Sequence, residues 1–453
     1  MMFVKLLVAL INPPNTNTLG LHLIMRAPFC LLLLFLSMLS GCYSKKPKLA
    51  CDSTAFKPGN YTLLKNAKVF DGISDEVLNN YSVLVKDDVI FDVAPDAVIC
   101  VPKDVKVLAL DGRLLSPGLI ESHGHQTFNE PWEVIKGKLE KLIYSGITGI
   151  RNMAGRVPSY KQWSDKIDAG EIVGPNIYSS AFFAGQAFFN VDGRLKKYRD
   201  FGDNPGDEDW MKIVDAELDI PDAVRKAKES GATGIKLYAS LSPAWVQRIT
   251  TEAKKNDLRV WSHAHLQLTE TEVIIDAKVD SVSHAEMFGH TISHENEVVK
   301  NHTEVDTDRV KIIFSKMVES GIYFDVTLQL YYKYYGGDSG KAKLATQIVK
   351  MANEMGVLIV SGSDSEGFWD EGNIALYDEM ITLVEVAGMS PESVLKSATY
   401  NPARLLGVEA DYGSVSKGKK ADLVVFNANP LKNIQHVREI YLTMKNGVVY
   451  QNL

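Results

Sequence analysis

From Leu115 to Leu406 short apolar runs alternate with longer amphipathic stretches, and this alternation restricts the fold more than any other feature of the chain. The runs expected as strands are Leu115 to Ser122, Gly149 to Met153, Asn176 to Ala181, Gly234 to Tyr238, Val260 to His263, Ser281 to His284, Tyr323 to Leu328 and Val357 to Gly362. Between them lie expected helices such as Pro221 to Ser230, Pro243 to Asn256, Thr307 to Gly321 and Ala342 to Gly356, several ending at Gly or Asn as helices do. Strands alternating with helices imply parallel β/α units. Eight units close into a (β/α)8 TIM-like barrel, which collects its chemistry at the C-terminal ends of its strands.

The flanks read differently. Tyr61 to Leu64, Lys68 to Phe70, Ser82 to Val85, Val89 to Val93 and Val105 to Leu108 are short β-rich runs separated by turn signals, and such runs return in Ala421 to Phe426 and Ile440 to Val449, where Asn446-Gly447 marks a tight hairpin. The expectation is an α/β chain: a small β-sandwich built from both ends, residues 60–114 with 408–453, around a barrel over 115–407. A chain of 453 residues has length for both bodies.

Near the start, Met25-Arg26 precedes an apolar run from Phe29 to Leu39 and the small residues Ser40-Gly41 before Cys42. The run is short for a membrane span and reads as an export signal over residues 1–41, with Met25 as an alternative true start. Leu39-Ser40-Gly41-Cys42 resembles the bacterial lipobox, which implies a lipid on Cys42, a tether over 42–59, and a chain anchored to a membrane in the periplasm or at the cell surface. Export leaves Cys51 and Cys100 in an oxidising compartment, where they are expected to pair; two buried thiols are the alternative. With a net charge of −7 the chain lacks the basic balance that nucleic acid requires.

Within the central region the unusual residues fall in one place. His123 and His125 alternate onto one face of the first strand, a geometry suited to a shared divalent cation. Lys236 sits between apolar neighbours on strand four, where a charged ammonium is costly to bury. His263 and His265 end strand five, His284 ends strand six and Asp364 follows strand eight. Singly, each reads as a packed or solvated side chain. Together they mark strand ends, where a barrel gathers catalytic groups.

At this point the chain resembles the amidohydrolase superfamily, in the branch of imidazolonepropionase-like proteins and zinc-dependent Xaa-Pro dipeptidases. The resemblance rests on Pro117-Gly118-Leu119-Ile120 leading to His123 and His125, Ile235-Lys236-Leu237-Tyr238, the histidines of strands five and six, and Gly362-Ser363-Asp364. Further matches are Ala398 to Ala403 and Gly418 to Val425. It implies two divalent metal ions, zinc by the branch's habit. His123, His125 and Asp364 would hold one and His263 and His284 the other, and Lys236, carboxylated by carbon dioxide, would bridge them. Paired ions of this kind lower the pKa of a water and polarise the carbonyl it attacks. Asp364 would serve as general base and then acid. Tyr238, on the same strand face as Lys236, would donate to the substrate carbonyl or stay as packing at the barrel mouth. His263 is taken as the ligand over His265, which shares its face and is left a supporting role. Glu121 stands where the family usually has Asp and is expected to orient a ligand from one layer deeper.

The substrate is a small molecule that no motif specifies. Two aromatic stretches expected as loops, Phe182 to Phe189 and Leu330 to Tyr335, are candidate pocket walls, and Arg194, Lys196 and Lys197 candidate partners for a carboxylate. The leading expectation is hydrolysis of amide or peptide C–N bonds in dipeptides or N-acyl amino acids, with proline on the C-terminal side as one form. The same apparatus suits an esterase, lactonase or phosphotriesterase, and a non-catalytic binding lipoprotein is the alternative from outside enzymology. A homo-oligomer is left open.

Overall fold

The computed structural model describes residues 56–125, 131–193, 195, 204–293, 298–301, 305–366, 369–370 and 373–451. The expected signal peptide, Cys42, Cys51, Arg194, Lys196 and Lys197 lie outside the described residues.

The barrel strands are β1 (Leu119–His125), β2 (Ile147–Asn152), β3 (Asn176–Gly185), β4 (Gly234–Leu237), β5 (Arg259–His263), β6 (Ser281–Ser283), β7 (Tyr323–Asp325) and β8 (Leu358–Val360), each parallel to the next. β8 approaches β1 closely enough for Ser122 N–H to reach Ser361 O at 3.0 Å and Asp364 N–H to reach His123 O at 2.8 Å. The two-residue strand Ser365–Glu366 then runs parallel beside β1. The eight expected strands are all present.

The helices outside follow from periodicity. In helix Thr307–Ser320 the buried side chains are Val310, Ile313, Phe314 and Met317, the spacing of one helical face. Asp306 caps its start by accepting the N–H groups of Asp308 and Arg309, and Gly321 ends it at φ 66°, a left-handed position that glycine takes at little cost. Burying each such side chain is worth about 1.5–3 kcal/mol, and truncating Phe314 to Ala costs about 3–5 kcal/mol.

The two chain ends share one mixed sheet, in the order Val448–Tyr450, Ile440–Lys445, Leu423–Phe426, Leu114–Pro117, Tyr61–Phe70, Val77–Lys86, Val89–Pro95. Tyr61–Phe70 is bulged between Leu64 and Ala67. Its first half pairs with Lys106–Ala109 and its second with Leu114–Pro117, so the sheet branches around a core that includes Leu64, Val69, Val83, Val425 and Leu442.

The run read as one strand from Leu115 to Ser122 is two. Leu114–Pro117 belongs to the mixed sheet and β1 to the barrel. The chain crosses between them at Gly118, where an added Cβ would stand 2.2 Å from Thr148 Oγ1, so only a residue without a side chain passes there. The aromatic stretches also differ from expectation: β3 runs on to Gly185 and is followed by helix Gln186–Val191, and Leu328–Tyr335 is a helix. The mixed sheet carries a buried ion pair, Lys445 to Asp422 at 3.2 Å, and Asn176 at the start of β3, bonded to both, joins it to the base of the barrel.

Candidate metal centre

β1 delivers His123 and His125 with ring centroids 5.2 Å apart. Their Nε2 atoms lie 3.4 and 3.0 Å from one oxygen, Oδ1 of Asp364. A nitrogen of each histidine and a carboxylate oxygen lie within 4.8 Å of one another, and this is the one such group of three among the described residues. Asp364 is not on β8 itself. It follows the strand at φ 50°, held by its backbone bond to His123 O.

From the opposite wall Lys236 of β4, 1% exposed, brings Nζ to 3.4 Å from His123 Nε2. His263 at the end of β5 and His284 just past β6 have ring centroids 4.5 Å apart, and His284 lies 5.2 Å from His123. His284 Nδ1 is 3.0 Å from Thr327 Oγ1, an arrangement that leaves Nε2 clear. His284, Thr327 and Asp364 all have positive φ, at 78°, 47° and 50°. For non-glycine residues such conformations cost about 1–3 kcal/mol each and persist where surrounding structure imposes them, commonly at functional sites.

The protonation states suit a cation. Burial pushes the imidazoles of His123 and His284 down to about 4 and about 3, and holds His263 well below its ordinary value, so all three are neutral near pH 7. Burial opposes ionisation of Asp364, but His123, His125 and His284 around it outweigh that and hold its carboxyl below the usual range. Neutral imidazoles with an ionised carboxylate are the forms in which these side chains ligate. Burial lowers the Lys236 ammonium to about 8, which brings its free amine within reach of mildly alkaline pH. The donor set therefore fits a metal ion.

Tyr238 is half-buried at the mouth, its ring 4.3 Å from His263, 4.7 Å from Phe182 and 5.0 Å from Phe188. The aromatic stretch after β3 thus packs around Tyr238. Glu121 touches backbone, since its Oε1 accepts the N–H groups of His123 at 2.8 Å and Ser363 at 2.9 Å, clasping β1 to the chain after β8. Its Asp-to-Glu departure leaves the site intact: the carboxylate holds the ligand-bearing segments from below.

His265 stands apart from the expected supporting role. β5 ends at His263, and the His265 ring packs 5.3 Å from His290 while its Nδ1 accepts the Gln267 N–H. The strand alternation that would align it with His263 stops at His263 itself, two residues short of His265. Two further residues went unread in the sequence, Asp325 and Arg151. Asp325 Oδ2 lies 2.5 Å from His123 Nδ1 and 2.7 Å from Arg151 Nη2, all three side chains fully buried. Each is a charged residue inside an apolar run, the same signal that marks Lys236. Beside Asp364 opens a cavity of about 340 Å³ lined in part by Gln329, Tyr332, Lys333 and Tyr334 of helix Leu328–Tyr335.

Comparison with known proteins agrees with this architecture. The model of the amidohydrolase family matches residues 114–450. A 5-methylthioadenosine/S-adenosylhomocysteine deaminase of Acetivibrio thermocellus is 22% identical over 395 residues, 81% of this chain and 85% of that protein. Among solved structures, a Xaa-Pro dipeptidase with bound methionine in the active site superposes with TM-score 0.68 at 22% identity, covering 87% of this chain and 100% of that one. The A. niger ochratoxinase does so with TM-score 0.69 at 21% identity, covering 87% and 96%. At these identities the two structures establish a shared fold.

Proposed function

The chain belongs to the amidohydrolase family and is a hydrolase acting on C–N bonds, and on that premise we propose that it cleaves dipeptides or N-acyl amino acids with two bound zinc ions. The observation that carries the reading is the convergence of His123, His125 and Asp364 on one point, with Lys236 at 3.4 Å and the His263–His284 pair beside it. In this reading His123, His125 and Asp364 would hold one ion and His263 and His284 the other. Lys236 would be the ligand shared between them as a carbamate: its ammonium first gives up one proton, and the free amine then adds to carbon dioxide, forming one N–C bond as one C=O π bond opens and releasing a second proton, so that a buried cation becomes an anion. Divalent ions held there supply a water of lowered pKa and polarise the scissile carbonyl.

The chain's own groups do the rest. Asp364 takes the proton from the attacking water and passes it to the leaving nitrogen, a task suited to a carboxylate kept ionised beside the reacting atoms. Tyr238, held in place by Phe182 and Phe188, donates its hydroxyl proton to the carbonyl oxygen as negative charge develops there. The cavity adjoining Asp364 receives the leaving-amine side of the substrate, with Tyr332 and Tyr334 as its apolar surface.

The same reading extends to location. An apolar run before Leu39-Ser40-Gly41-Cys42 supports export and lipidation at Cys42, a membrane-tethered enzyme that scavenges small amides, and a disulfide between Cys51 and half-buried Cys100. A screen of zinc-loaded protein against dipeptides, N-acyl amino acids, esters and lactones tests the substrate class. Turnover confined to esters or lactones refutes it.

A further inference from the structure

We propose that Asp325, with Arg151 as its counter-charge, is the positioning residue that presents Nε2 of His123 to the metal; this inference rests on the metal-site reading above. Three donors converge on one oxygen, Asp325 Oδ2: His123 Nδ1 at 2.5 Å, Arg151 Nη2 at 2.7 Å and Ser283 Oγ at 2.9 Å. An ionised carboxylate only accepts, so the proton of a neutral His123 resides on Nδ1. Nε2 is then a bare lone pair, and it faces Lys236 and Asp364. The other tautomer would aim an N–H at the place the cation occupies. Carboxylate-to-histidine bonds of this kind set the tautomer and orientation of a ligating imidazole.

Arg151 extends the same clasp. Its Nε donates to Ser122 O at 2.5 Å, the carbonyl just before His123, its Nη1 donates to Ser281 Oγ at 3.0 Å, and its guanidinium lies 5.1 Å from the Trp261 ring. β1, β2, β6 and β7 are thereby tied together around one imidazole. Gly362 closes the remaining side, since a Cβ there would come 2.4 Å from Asp325 Oδ1 and 2.6 Å from His123 Cβ. Stability alone does not explain the pair. Buried ion pairs are often replaced by apolar residues of similar volume without loss, but an apolar pair here lacks the acceptor for His123.

Two double variants of the full chain separate that acceptor from the charges. Arg151→Met with Asp325→Asn removes both charges and keeps an oxygen for His123, whereas Arg151→Met with Asp325→Leu removes the oxygen too. Zinc affinity, measured by competition with a chelator, is expected to stay within a few-fold of the parent in the first and to fall about 10–100-fold in the second. Equal affinity in the two overturns the proposal. A parent chain that binds no zinc overturns the metal-site reading instead. Should the leucine variant not fold, the ring of His123 in metal-loaded, 15N-histidine-labelled parent protein decides, assigned by its loss in His123→Gln. A protonated Nδ1 upholds the proposal and a bare Nδ1 refutes it.

Discussion

Lys236 Nζ and His123 Nε2 face each other at 3.4 Å inside the barrel. With His123 Nδ1 engaged by Asp325, Nε2 accepts and the ammonium donates. The lysine proton therefore occupies the direction from which a metal would be bound. Metal uptake by the metal-free chain should strengthen as pH rises toward about 8, where the ammonium gives up its proton, and strengthen further with added bicarbonate. In Lys236→Met the bicarbonate dependence should vanish, one of two zinc ions should be lost, and kcat/KM should fall on the order of 10³-fold. Unchanged zinc content and turnover would sink the two-metal arrangement.

Asp364→Asn keeps the backbone bond to His123 O that sets its position, so the fold should survive. Without a base and acid for the proton, kcat should drop by about 10²–10⁴-fold. Tyr238→Phe keeps the ring packed on Phe182 and Phe188 and should lower kcat by roughly 10²-fold with KM little altered. If KM rises and kcat holds, the hydroxyl binds ground state and does not serve the oxyanion.

Glu379 is a buried acid outside the centre, whose carboxyl group caps helix Leu328–Tyr335 by accepting the N–H groups of Leu328 at 2.9 Å and Gln329 at 2.6 Å. Burial raises its carboxyl from 4.5 to about 8, so the folded chain keeps the proton where the unfolded chain has lost it. Stability linked to this group should fall as pH rises from about 4.5 to about 8, and level off above. Glu379→Gln, always neutral, should thus gain on the parent across that window, by a few kcal/mol at its upper end. Urea denaturation at pH 5 and pH 8.5 reads the difference. A gap that does not widen with pH would show that the capping bonds, and not the buried charge, govern this position.

Lys445 and Asp422 form an ion pair within the mixed sheet, each side chain 4% exposed, and meet the base of the barrel through Asn176. Lys445→Met strands a buried carboxylate and should cost about 3–5 kcal/mol, while Lys445→Met with Asp422→Leu should recover most of that. Thermal unfolding of the three proteins checks the order. A double variant no more stable than the single one would mean that the bonds to Asn176 and Asn446 matter more than the charges.

Sequence by itself determined the eight β/α units, the sheet drawn from both ends, and the placement of His123, His125, Lys236, His263, His284 and Asp364 at or near strand ends. These follow from periodicity and from residue types set against apolar neighbours, which are local properties a linear string retains. Tertiary structure alone decided which charges meet. Asp325 stands 202 positions from His123 and 174 from Arg151, and only barrel closure brings β1, β2 and β7 around one imidazole. It also decided that His265 leaves the site, because the chain turns where β5 stops, and that the strand before His123 is divided at Gly118, because Thr148 leaves no room for a side chain. Periodicity says which way a side chain points along its own strand. Its partner depends on what the closed barrel places opposite.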